Sequence, residues 1–269
     1  MSGSERAGFG PLQRFALAVA GFMVFVLLWH CVVMIFKIHP ITLPPPLKVL
    51  QTFWVERETL GEAYLATGLA ALLGLLASTV AGVGTAIIFS QSRWIRSALY
   101  PYVIFLQTVP IVAIAPLLIT WFGYEFKTVV LVSSIISMFP IVSNVTTGLI
   151  SVDQNLRDLF ELGGATRIQA LWKLRIPYAV SHLILGLRVS AGLAVIGAIV
   201  GEFFVGNGSA TYAGLGTVMT GWQNLAKTDA IIAAVFVSTL LGLSILGIVN
   251  LLAWALLRRW TESDGFEND

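Results

Sequence analysis

Residues 128–150 read TVVLVSSIISMFPIVSNVTTGLI, an uninterrupted stretch with no charged side chain. About 20 apolar residues cross the hydrocarbon core of a bilayer as a helix. The stretch lacks the alternating pattern of a lipid-facing barrel strand, and lipid leaves no backbone polar group unpaired, so a helix is the only spanning form open to it. Working outward, five further stretches have the same character: roughly Phe15–Phe36, Glu62–Phe89, Ala98–Trp121, Tyr178–Phe204 and Asp229–Leu257. The composition agrees, with 57% hydrophobic and only 11% charged residues, against about 25% charged in a soluble domain. The chain is predicted to be an all-α integral membrane protein of about six transmembrane helices. The expected division is an N-terminal segment 1–14, one transmembrane domain 15–257 with a long loop 151–177, and a tail 258–269.

The first apolar run exceeds the 7–15 residues of a signal-peptide core and no small-residue cleavage site follows it, so it reads as an uncleaved span. Orientation follows from lysine and arginine. With the N-terminus inside, the inner segments hold Arg6, Arg14, Arg93, Arg96, Arg157, Arg167, Lys173, Arg175, Arg258 and Arg259. The outer segments hold Lys37, Lys48, Arg57, Lys127 and Lys227, and Arg188 lies within a span. The asymmetry predicts both termini in the cytoplasm.

Several function classes drop out. The single cysteine, Cys31, excludes a disulfide framework, and a net charge of +2 does not suggest nucleic-acid binding. There is no Gly-x-x-x-x-Gly-Lys-[Ser/Thr] loop, so any ATP is bound by another chain. No paired histidines or carboxylates suggest a metal or hydrolytic site. No internal repeat is evident, which withholds support from an inverted-repeat carrier.

The loop 151–177 carries the most information. Asp153 is placed to cap a helix, and Leu156, Leu159, Phe160 and Gly163 stand at i, i+3, i+4 and i+7, one apolar stripe. Gly163-Gly164 ends that helix. Thr166-Arg167-Ile168-Gln169 has the form of a capping box opening a second short helix, with Ile168, Leu171 and Trp172 as its stripe. Pro177 falls where the next span begins, a position proline tolerates. Two amphipathic helices joined by a glycine bend either rest on the inner leaflet or dock into a cytoplasmic partner.

Within the spans, Pro110, Pro116 and Pro140 each remove a backbone hydrogen bond; they serve packing, or they let the helices flex around a pathway that Gln107 and Thr108 would line. Gly74, Ser78 and Gly82 form one small-residue stripe, and Ser190, Ala194 and Ala198 another, as close helix packing requires. Arg188 and Glu202 are the costly residues, on the order of 3 kcal/mol each at mid-membrane unless paired or wetted. Fourteen positions apart, they are about 21 Å apart along one helix and cannot pair with each other. Each either meets backbone groups and interfacial water or lines the solute path. Outside, Leu43-Pro44-Pro45-Pro46 is stiff and extended, 47–60 has the makings of a short surface helix, and Gly206–Thr228 is too polar to span and either folds back as a gate or is a surface loop.

The loop resembles the EAA motif of permease subunits of bacterial ABC importers: Glu-Ala-Ala, three residues, Gly, nine residues, Ile-x-Leu-Pro. Gly164 takes the glycine position, Leu174-Arg175-Ile176-Pro177 follows nine residues later, and Asp158-Leu159-Phe160 takes the place of the opening triplet with only its acid kept. Leu43-Pro44-Pro45-Pro46, Val109-Pro110 through Trp121-Phe122-Gly123, Gly186-Leu187-Arg188, Gly201-Glu202 and Gly214-Leu215-Gly216 resemble elements of the nitrate, sulfonate and taurine class of these permeases. The resemblance implies a multi-pass protein of the bacterial inner membrane. It also implies a coupling helix bearing Asp158, Glu161, Gly164, Ala165, Thr166 and Pro177, and a translocation path at the interface with a second copy, where Gln107, Pro110, Arg188 and Glu202 are candidates. The implied partners are two ATP-binding cassette subunits, which hold the ATP and Mg, and an external solute-binding protein; this chain would hold no cofactor. The competing expectation is an ion- or proton-coupled carrier without an ATPase, which predicts acid or histidine relays; Glu202 alone suggests one. An apolar third span and few cationic groups beyond Arg188 favour a flat organic solute such as a pyrimidine or flavin.

Overall fold

Every regular element of the computed structural model, which describes residues 10–206 and 212–261, is helical. In chain order they are α1 (Pro11–Ile35), α2 (Pro46–Val55), α3 (Arg57–Gln91), α4 (Arg93–Thr108), α5 (Ile111–Phe122), α6 (Phe126–Ile150), α7 (Gln154–Leu162), α8 (Arg167–Ala170), α9 (Ile176–Val205), α10 (Leu215–Asn224) and α11 (Thr228–Thr261). Five stretches are long and apolar enough to cross a membrane: Ala16–Ile35, Arg57–Gln91, Phe126–Ile150, Arg167–Val205 and Thr228–Ala255. Residues 1–9 of the expected N-terminal segment, 207–211 of the outer segment and the tail beyond Thr261 lie outside the described residues.

The third expected span is not one helix. Val109 and Pro110 are extended and divide it into α4 and α5. A residue before proline is driven out of the helical region, and the proline then opens the next helix. At 1.5 Å per residue the halves are about 24 Å and about 18 Å long, neither matching the roughly 30 Å core alone. Pro116 and Pro140, by contrast, lie inside continuous helices. The surface helix α2 ends at Val55 rather than running on to Leu60, because α3 begins at Arg57.

The residues pack as two compact units. One combines the chain up to Arg57 with Trp222–Ala233. Here the Thr52 hydroxyl donates to the Asp229 carboxylate at 2.7 Å, Lys48 lies 3.9 Å from the same carboxylate, Lys227 pairs with Glu56 at 3.3 Å, and the Thr228 hydroxyl donates to the Ile41 carbonyl. Solvent-facing ion pairs of this kind contribute about 0–1 kcal/mol each.

The other unit, Glu58–Gly221 with the chain from Ala234 onward, is organised around α6. Between apolar helices in lipid, association rests on van der Waals contact and polar links rather than on the hydrophobic effect. The small-residue stripe of α3 meets α6: a methyl group at Gly74 would lie 2.2 Å from the Ser133 hydroxyl, and one at Gly82 2.9 Å from Ile141. The second stripe, on α9, meets α6 at the same residues. A methyl group at Gly197 would sit 2.7 Å from the Ser133 Cα, the Ser133 hydroxyl donates to the Ala194 carbonyl at 2.8 Å, and the Ser190 hydroxyl donates to the Ser137 carbonyl at 2.6 Å. Such links average about 0.6 kcal/mol in membrane helices; the close backbone approach contributes the rest.

Candidate functional site

In the loop 151–177, the Asp153 carboxylate caps α7 by accepting from the Asn155 N–H at 2.7 Å. The helix ends in a Schellman turn: the Gly164 N–H donates to the Glu161 carbonyl and the Ala165 N–H to the Phe160 carbonyl, both at 3.0 Å. Gly164 sits at φ +69°, while a methyl group there would meet nothing within 4 Å. The chain itself therefore demands glycine for its backbone conformation and not for space. The capping box is formed, with the Gln169 N–H donating to the Thr166 hydroxyl at 3.2 Å and the Thr166 N–H to the Gln169 side chain at 2.8 Å.

The second loop helix is not separate from the following span. The π-helical turn 171–175 joins α8 to α9, giving one helical run from Arg167 to Val205. Pro177 has no N–H to offer the carbonyl four residues back, and its ring crowds that carbonyl. A wider turn just before the proline accommodates both facts without breaking the helix. The candidate residues Asp158, Glu161, Gly164 and Thr166 are exposed, Ala165 and Pro177 half-buried. The apolar side chains of Leu159, Leu162, Ile168 and Trp172 are also uncovered by the chain.

On the membrane side, Arg188 and Glu202 share α9 and have separate partners. The Arg188 guanidinium donates to the Asn250 side chain of α11 at 2.8 Å. It lies on an open, mostly apolar groove of about 570 Å³ that also includes Ile196, Phe203, Met219, Ser238 and Leu243. Glu202 is fully buried. Its carboxylate accepts from the Tyr212 hydroxyl at 2.6 Å, the Gly216 N–H at 2.8 Å and the Thr67 hydroxyl at 3.0 Å. Thr67 in turn accepts the Leu215 N–H at 2.8 Å. Burial and the neighbouring carboxylate push the Tyr212 phenol above its ordinary range, which keeps it a donor. A methyl group at Gly214 would lie 2.0 Å from the Glu202 carboxylate, and one at Gly216 2.4 Å from the Ile199 carbonyl. Residues 212–216 of the outer segment are thus pinned onto α3 and α9, not loose surface.

Gln107 and Pro110 flank the α4–α5 break and are exposed. The Thr108 hydroxyl folds back to the Phe105 carbonyl at 3.0 Å. Sequence reasoning missed Thr67, Tyr212 and Asn250, whose link to the charged pair is purely tertiary; Thr67 stands 135 positions from Glu202.

The family profile described as binding-protein-dependent transport system inner membrane component matches residues 63–261. The formylaminopyrimidine transport permease protein of Halalkalibacterium halodurans is 32% identical over 206 residues, 76% of this chain and 80% of that protein. The riboflavin transport system permease protein of Chloroflexus aurantiacus is 32% identical over 258 residues, 94% of each chain. The taurine transport system permease protein of Escherichia coli is 27% identical over 263 residues, 95% of this chain and 92% of that protein.

Proposed function

This chain belongs to the binding-protein-dependent transport system inner membrane components, and from that premise we propose how it moves its solute. It is a multi-pass permease subunit of an ATP-driven importer. In our reading it performs no catalysis, and ATP and Mg are held by two separate cassette subunits into which the α7–α8 bend docks. A second copy of the chain closes the translocation path, and an external binding protein delivers the solute.

The observation that carries the coupling reading is the single helical run from Arg167 to Val205. It joins the docking segment to the groove-lining face of α9, with Pro177 and Arg188 roughly 16 Å apart along the axis. A push on the bend when the cassettes close is transmitted as a tilt of α9, not absorbed in a flexible linker. The bundle needs only two arrangements for the path to alternate its exposure. Uncovered Leu159, Leu162, Ile168 and Trp172 supply the apolar patch that a docking partner covers.

The solute we propose is a flat organic heterocycle. The groove offers apolar walls, the ring of Phe203 and one guanidinium held by Asn250, and two of the relatives are named for formylaminopyrimidine and riboflavin. Glu202 acts as the staple of the outer segment rather than as a proton relay.

The test is uptake into vesicles containing the chain with its cassette subunits and binding protein. Uptake is expected to require internal ATP and to ignore an imposed proton or sodium gradient. Uptake driven by the gradient alone would sink the importer mechanism. A small sulfonate co-purifying with the binding protein would overturn the solute assignment and leave the coupling untouched.

A further inference from the structure

Five arginines of the cytoplasmic side line one cleft. Arg93 and Arg96 come from the first turn of α4, Arg157 from α7, Arg167 from α8 and Arg175 from the π-helical turn; the cleft measures about 650 Å³ and is mostly polar. No carboxylate lines it. Among the described residues none of the five forms an ion pair, and the Nε of Arg157 is buried without a hydrogen-bond partner. Arg175 reaches only the Ser90 carbonyl, at 3.4 Å. Like charges converging on one cleft repel unless an anion sits among them.

We propose that this cleft holds the phosphodiester headgroup of an anionic phospholipid of the inner leaflet. Three observations favour lipid over an acidic protein surface. The walls are the ends of long apolar helices, with Ser90 at the end of α3 and Ile150 at the end of α6, which sets the cleft at headgroup level. Trp94, between the two α4 arginines, is 87% exposed, a residue type that gathers at the membrane–water boundary. Ile95 and Leu99 beside it are also uncovered, so acyl chains have an apolar surface to follow. Basic pockets at helix ends on the cytoplasmic side suit such headgroups. Because Arg157, Arg167 and Arg175 also line the inside of the α7–α8 bend, where Glu161 is the one carboxylate beside them among the described residues, the bound lipid braces the coupling loop against the spans. This inference does not depend on the solute.

The full-length chain, purified in neutral detergent, is titrated with phosphatidylglycerol and phosphatidylcholine of matched acyl chains, and retained lipid is counted by native mass spectrometry. The wild type is expected to prefer phosphatidylglycerol. Each arginine neutralised should reduce the preference about fivefold, so Arg93→Gln/Arg96→Gln/Arg157→Gln should lose on the order of a hundredfold. The corresponding triple lysine variant should keep most of the preference, and Arg96→Gln alone reads the effect if the triple glutamine variant does not fold. An unchanged preference in the glutamine variants would overturn the proposal. Displacement of phosphatidylglycerol by millimolar inorganic phosphate would overturn it in favour of a free anion. Loss of cassette-subunit co-purification with lipid retention intact would overturn it in favour of an acidic protein surface.

Discussion

The Glu202 network and the α7–α8 bend are the two most specified polar regions of the chain, and they are built in opposite ways. Around Glu202 every partner comes from elsewhere in the fold: Thr67 from α3, Tyr212 from the outer segment, Gly216 from α10. Both oxygens of the carboxylate accept from the chain itself. The bend draws all its bonds from within about six residues, through Asp153, the Schellman turn and the Thr166–Gln169 box, and leaves its outer face bare. One region is closed upon itself and stabilises the chain; the other is preformed and awaits a surface. Burial with complete satisfaction marks the first as structural, and local rigidity with apolar exposure marks the second as an interface.

The largest effect on the chain itself is expected where the contrast is broken at Glu202. Glu202→Ala strands three donors in an apolar interior, at a cost of about 1–3 kcal/mol for each group left unsatisfied. Thermal unfolding in detergent should show a loss of several kcal/mol, and Glu202→Gln should lose less. A loss under about 1 kcal/mol for the alanine variant would mean that the outer segment is held by packing alone.

Next comes Gly164→Ala. It forces a Cβ into the left-handed region, at about 1–2 kcal/mol, without touching any neighbour within the chain. A modest drop in stability with assembly preserved would sharpen the distinction between backbone demand and interface demand. A drop as large as that of Glu202→Ala would show the bend to be packed more tightly than it is drawn.

The smallest effect is expected from Thr166→Ala, which removes one half of a capping box. About 1 kcal/mol should be lost, and amide exchange should quicken at Gln169 while Gly216 stays protected. Faster exchange at both sites would mean that the two regions are not independent.

Much of this was legible in the residues. Six apolar segments, the arginine asymmetry, the glycine bend and the capping box each rest on local physics, and local physics is written locally. The π-helical turn was not, because one extra residue in a helix leaves no mark on an apolar stripe as short as Ile168–Trp172. Three prolines looked alike, yet only Pro110 separates two helices. Pro140 lies inside α6, which packs against α3 and α9, and Pro116 lies inside α5; both helices continue through them. Glu202 was recognisable as costly, but its satisfaction depends on Thr67 and Tyr212, which no spacing rule connects to it. The arginine cleft was hidden in plain view: its members appear as charges counted toward orientation, and only the fold brings α4, α7 and α8 together.

The most direct test of the account is Gly164→Trp, compared with Gly164→Ala, with the chain co-expressed with its cassette subunits. The indole projects into open space, so the folded chain should survive nearly as well as with alanine. The account predicts that Gly164→Trp loses cassette co-purification and ATP-driven uptake, while Gly164→Ala keeps most of both. Full ATP-driven uptake in the tryptophan variant would contradict the claim that this bend is where the importer is driven.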